Sequence, residues 1–233
     1  MGSRAGFADG RDVATKVPPP KGVIRDYFET ILVCVIFVIF SRAFAFQQSK
    51  IPSGSMEDTL LIGDYIMVNR FVYAPTSFDW EKKILPVRDI HRKDVVVFKF
   101  PAEPEVDYIK RVVGLPGDTV EVRRGYVYVN GEQVPEPYVK DQYRKVQDFG
   151  PVTVEPDHFF VMGDHRDRSS DSRSWGQVPR ELLKGRALLI WWSYPEHAGD
   201  INLRGSERIQ AIGSKLLHFF DRSRWSRCFS IIA

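Results

Sequence analysis

The hydrophobic rhythm of this chain changes twice. From Tyr27 to Phe46, in "YFETILVCVIFVIFSRAFAF", apolar residues follow one another with no sided pattern. The charge-free centre, Ile31 to Phe40, is ten residues; the wider stretch is twenty, enough helix for about 30 Å of hydrocarbon. After residue 60 the period drops to two. "DYIMVNRFVY", "KDVVVFKF", "DYIKRVV", "DTVEVRRGYVYVNGEQV", "PVTVEP", "HFFVMG" and "ALLIWWSY" are short runs rich in Val, Ile, Tyr and Phe, the pattern of strands. Asn130-Gly131 signals a two-residue hairpin and "GLPGD", Gly114 to Asp118, a tight turn. Past Ser206 a helical period returns: Ile209, Ile212, Leu216, Phe219 and Phe220 share one face, among Arg208, Lys215, Arg222, Arg224 and Arg227.

These rhythms predict four regions: a polar tail at 1–23 ending in "VPPPKG", an apolar helix at 24–46, a β-rich domain at 47–205 and a basic amphipathic segment at 206–233. The apolar helix has three readings. It is a retained membrane anchor, a cleaved signal peptide ending at Ala43-Phe44-Ala45, or a buried core helix. Arg4, Arg11, Lys16, Lys21 and Arg25 before it favour an anchor with a cytoplasmic N-terminus. The C-terminal helix suits either a membrane surface or the domain itself.

With 233 residues, the chain is long enough for one domain with a real core. A net charge of +3 gives no argument for nucleic acid. Its two cysteines, Cys34 and Cys228, lie far apart, the first inside the apolar run, so no disulfide is expected.

Several chemistries lack their motif. There is no H-E-x-x-H, no S-x-x-K, and no glycine-flanked nucleophile elbow at Gly54-Ser55. The five histidines are scattered, and a Ser-His-Asp triad through His165 stays open as the lesser alternative. Lysine remains as a base. In a strand, Lys110 shares a face with Tyr108 and Val112, while Arg111 points the other way. Against apolar surface its ammonium would lose hydration and its proton affinity would fall, which a general base requires. On a solvated face it would be an ordinary lysine, and periodicity does not choose. "GDHRDRSSDSR", Gly163 to Arg173, holds three Asp, three Arg and three Ser. It is either a self-paired surface loop or a rigid polar loop that presents a hydroxyl to a buried ammonium.

Taken in order, an apolar stretch, "PSGSM", "KDVVVFKF", "YIKRVVGLPGD" and "GDHRDRSSDSR" resemble bacterial type I signal peptidase, a Ser-Lys endopeptidase family. The resemblance covers about Ile51 to Trp192. It implies a mainly β fold: an antiparallel-sheet, signal-peptidase-like catalytic domain behind an N-terminal transmembrane helix. It implies removal of signal peptides from exported preproteins after Ala-x-Ala sites at the outer face of the cytoplasmic membrane, by a single-pass monomer in contact with lipid and with no cofactor, metal or nucleic acid. By motif position Ser55 would be the nucleophile and Lys110 the base. Ser53 and the Ser55 N–H would form the oxyanion hole. Ser169 would orient the lysine, Asp171 and Arg173 would hold its loop, and Asp164 would support it. His165 and Arg168 stand where the family often has asparagine, and Asp58 where proline is common. A compact second β region is expected near Asn130 to Asp157. The rivals are a soluble self-cleaving relative of SOS-type repressors, a non-catalytic anchored binder, and a peptidase specialised for one substrate.

Overall fold

A computed structural model describes residues 23–44, 46–73, 87–144, 147–196 and 205–232. Residues 1–22 of the polar tail and Ala45 of the expected cleavage site lie outside them. The chain divides into two units, residues 1–40 and 41–233.

The first unit contributes helix α1, which runs Val23–Phe44. Arg25 pairs with Glu29 one turn on, at 2.7 Å. Tyr27, Phe28, Ile31, Val33, Ile36 and Phe37 are all exposed. Those positions go round the helix, as the lack of a sided pattern requires. Among the described residues, no helix is long and apolar enough to cross a membrane.

The second unit is built from antiparallel strands. A larger sheet runs β1 (Phe46–Lys50), β2 (Asp64–Asn69), β11 (Leu183–Ser193), β3 (Val95–Phe100), β4 (Glu103–Gly114), β9 (His158–Met162) and β10 (Val178–Pro179), with β12 (Ser230–Ile231) also paired to β11. A smaller sheet runs β7 (Glu132–Gln133), β6 (Tyr126–Val129), β5 (Thr119–Arg123) and β8 (Phe149–Thr153). This is the expected second β region, and it begins before Asn130 because β5 and β6 belong to it. Asn130 and Gly131 turn the β6–β7 hairpin at φ 55 and 85, a left-handed pair that asparagine and glycine adopt most easily.

Strand alternation divides the core. In β3, Val95 and Val97 enter a cluster with Ile51, Met56 and Ile109, while Val96 and Phe98 enter another with Val112 and Val161. In β9, Phe160 and Met162 face the valines of the small sheet, and Phe159 and Val161 face away from them. Strand β4 therefore runs buried on both faces from Ile109 to Gly114.

The C-terminal segment departs from the single helix that its period suggests. α3 (Gly205–Leu217) stops at His218 and α4 (Phe219–Arg222) starts afresh. The break lets Phe219 pack on Trp192, centroids 5.5 Å apart, while Phe220 stays exposed. Beyond it Trp192 Nε1 donates to Ser223 Oγ at 2.9 Å, and Ile232 is buried in the core. Of the two readings left open for this segment, contact with the domain is the one these residues make. Both cysteines are free.

Candidate active site

Ser55 is the middle residue of a 3-10 turn, Gly54–Met56, which follows β1 and is pinned from below by Met56, fully buried. Leu60 N donates to the Met56 carbonyl at 2.7 Å, so the chain curls back beneath the serine. Lys110 comes from the buried half of β4, opposite Val96 of β3. The strand carries it to the serine: Lys110 Nζ donates to Ser55 Oγ at 2.7 Å and to the Ile109 carbonyl at 3.1 Å.

Lys110 is 4% exposed, and among the described residues no carboxylate forms an ion pair with it. Desolvation pushes its pKa down to about 8 from 10.5, against the upward pull of Asp171 and Asp164. That is the desolvated lysine of the first reading, next to Tyr108, whose ring centroid is 5.3 Å from Nζ. At pH 8 about half of such a lysine is neutral and able to take a proton.

The polar loop closes the site from the other side. Asp164 is buried and accepts from Arg111 Nε at 2.9 Å, from Arg111 Nη2 at 2.7 Å and from Thr59 Oγ1 at 2.6 Å. It thereby ties β4, the segment after Ser55 and the loop together. Asp171 caps the short helix α2 (Ser172–Trp175), receives Arg173 Nε at 2.8 Å and the Gly163 N–H at 3.1 Å, and is 1% exposed. Arg173 Nη2 also donates to the Arg166 carbonyl at 2.7 Å. His165 N donates to the Ser55 carbonyl at 3.2 Å, which fixes the peptide after the serine. A side chain on Gly163 would collide with that carbonyl and with the Ser169 hydroxyl, so the loop can pass this close only at a glycine.

Ser53 and Ser55 both line an open cleft of about 620 Å³, with Pro52, Asp107, Tyr108 and Ile109. Ser169 is placed differently from the expectation. Its hydroxyl is buried without a hydrogen-bond partner among the described residues, while the lysine donates to Ser55 Oγ and the Ile109 carbonyl. Of the three departures, His165 is buried between Glu57 at 3.2 Å and Asp167 at 3.0 Å. Asp58 holds a left-handed φ of 71 that a proline ring forbids, and pairs with Lys140 at 2.8 Å. Arg168 lines the cleft.

Sequence reasoning passed over Arg111, which appeared there only as the residue facing away from Lys110. It is 1% exposed and lies over the Tyr138 ring at 3.9 Å. It also passed over Glu136, whose buried carboxylate holds Arg166 of the polar loop and Arg144. The available signal was the alternation itself, since a strand buried on both faces must bury 111 as well as 110. Nothing local marks Glu136, thirty residues before its partner.

A serine hydroxyl on a tight turn, bonded to a buried lysine, thus lies beside an open cleft. The chain belongs to the signal peptidase, peptidase S26 family, whose model matches residues 24–192. Similar proteins include "Signal peptidase I" of Pseudomonas aeruginosa, 36% identical over 211 residues that span 75% of this chain and 74% of that one. "Probable signal peptidase I-2" of Synechocystis is 38% identical over 185 residues, 77% and 78% of the two chains. "Signal peptidase I" of Bacillus licheniformis is 32% identical over 185 residues, 76% and 92%.

Proposed function

We propose that this chain is a membrane-anchored signal peptidase I in which Ser55 attacks the scissile carbonyl and Lys110 takes its proton. The observation that carries the reading is the 2.7 Å contact between Lys110 Nζ and Ser55 Oγ, made by a lysine that burial holds down to about 8. A solvated lysine keeps its proton at neutral pH and cannot serve.

The substrate lies extended in the cleft, between Pro52-Ser53 and Asp107 to Ile109, as an added strand. The cleft's apolar walls at Ile109 and Ile62 favour apolar side chains before the scissile bond, a demand that Ala-x-Ala sites meet. As Ser55 attacks, its own N–H and the Ser53 hydroxyl receive the negative charge on the carbonyl oxygen. The N–H belongs to the first turn of a 3-10 helix, which leaves such donors without partners inside the turn. Lys110 gives the proton to the leaving amine, then deprotonates the water that frees the acyl group. The third ammonium hydrogen is available to the unpartnered Ser169 hydroxyl, which would fix the lysine's rotamer. Arg111–Asp164 and Arg173–Asp171 hold the walls of the site.

The anchor is α1 with its flanking residues. Its exposed Phe28, Ile31, Val33, Ile36 and Phe37 need apolar surroundings on every side, which lipid supplies. Carbonate extraction of membranes tests it: retention in the pellet supports the anchor, and release of the whole chain removes it.

Purified chain in detergent, incubated with a preprotein bearing an Ala-x-Ala site beside its Ser55→Ala variant, tests the chemistry. Cleavage by the parent alone supports the reading. Equal cleavage by both places the nucleophile elsewhere.

A further inference from the structure

The family match ends at residue 192, yet the chain beyond it returns to the segment that carries Ser55. That segment leaves the 3-10 turn, curls through Thr59 and Leu60, and enters β2 at Asp64. Residues 223–232 run along its far side. Arg227 Nη2 donates to the Thr59 carbonyl at 3.0 Å and to Asp64 Oδ2 at 2.6 Å. Arg224 Nη2 donates to the Ile62 carbonyl at 2.9 Å. Strand β12 takes an edge of β11, with Ile231 opposite Leu189 and Ser230 opposite Ile190. This seats Ile232, 3% exposed, in the core cluster that contains Met56 and Leu60.

On its other side the same segment is held by the polar loop, through Thr59 Oγ1 on Asp164 and His165 N on the Ser55 carbonyl. Two unrelated parts of the chain therefore grip Thr59, one at its hydroxyl and one at its carbonyl, four residues from the serine.

We propose that residues 223–232 are a strap that positions the nucleophile turn, with Arg227 as the positioning residue. The inference rests on Ser55 being the nucleophile. Arg227 touches neither substrate nor reacting atoms. It sets how far the turn can drift from Lys110. A planar guanidinium spans the Thr59 carbonyl and the Asp64 carboxylate at once, which an ammonium on a flexible stem does less well. Asp64 keeps Ser193 Oγ and Leu61 N as partners when Arg227 is lost, so the fold has a reason to survive the change.

The test uses the full chain in detergent, with Arg227→Ala and Arg227→Lys beside the parent and Ser55→Ala. kcat and KM are measured on an Ala-x-Ala preprotein, together with the thermal midpoint. Displacements of about 1 Å in a catalytic group cost up to about 10²-fold. Arg227→Ala is expected to lower kcat about 10- to 100-fold with KM within about twofold, and Arg227→Lys to recover part of the loss. A folded Arg227→Ala variant with the parent's kcat overturns the strap. So does a kcat loss wholly accounted for by the unfolded fraction. Should the alanine variant fail to fold, Arg227→Gln keeps a donor for the Thr59 carbonyl and is judged by the same criteria. Cleavage that persists in Ser55→Ala refutes the nucleophile reading and the strap with it, whereas cleavage lost in Ser55→Ala but unchanged in a folded Arg227→Ala overturns the strap alone.

Discussion

Lys110 and Arg111 are neighbours on one strand, both buried, and they are treated in opposite ways. Arg111 meets a bidentate carboxylate, Asp164, and an aromatic face, Tyr138. Lys110 meets a hydroxyl and a carbonyl. A buried cation with a matched anion keeps its charge and ties elements together. A buried cation without one is pressed to give up its proton. The strand thus carries a cation matched by a carboxylate on one face and one matched by a hydroxyl and a carbonyl on the other, and period two is what separates them.

Substitutions at the two positions separate these roles. Lys110→Met is expected to abolish preprotein cleavage, by about 10⁴-fold or more. It should also leave the thermal midpoint unchanged or raised, because an apolar side chain replaces an unpaired buried amine. The pH dependence of stability follows from the same lysine. Its folded pKa lies below 10.5, so between about 8 and 10.5 the unfolded chain binds more protons and stability rises with pH. A depression of that size corresponds to roughly 3 kcal/mol, withheld in full below pH 8. Denaturation at several pH values should show that rise in the parent and lose it in Lys110→Met. A fall in stability of the variant at neutral pH would mean that the lysine is structural.

Arg111→Met should do the reverse in kind. It strands the Asp164 carboxylate in a site where that group is fully buried, and breaking such a pair costs about 3–5 kcal/mol. Urea unfolding measures it, and a loss under about 1 kcal/mol would remove the distinction between the neighbours. Ser53→Ala is the smaller, purely kinetic change: cleavage slowed by about 10²–10³ with normal stability. An unchanged rate would rule out Ser53 as an oxyanion donor.

How much of this was legible in the sequence depends on range. Strands β5 and β6 declare themselves by alternation, β3, β4 and β9 as short runs rich in valine, isoleucine and aromatic residues, and the β6–β7 turn by Asn130-Gly131, because these signals are local. The 2.7 Å meeting of Ser55 with Lys110 lies 55 residues apart in sequence and came from motif order, since periodicity left the lysine's face open. The roles of Arg111, Thr59 and Glu136 depend on partners 53, 105 and 30 positions away, and no local pattern encodes those. The C-terminal segment shows the opposite failure. Its helical period is real, but pairing of β12 with β11 and the packing of Phe219 on Trp192 break the helix at His218. Ser169 marks a third case, where position in a motif is clear and a hydrogen bond is not made.

The pH dependence of kcat/KM on an Ala-x-Ala preprotein tests the central claim most directly, because it reports the ionisation of the free enzyme's base. An ascending limb with an apparent pKa near 8 is the predicted result, set by Lys110. An ascending limb that vanishes in His165→Asn would hand the role to histidine and contradict the account.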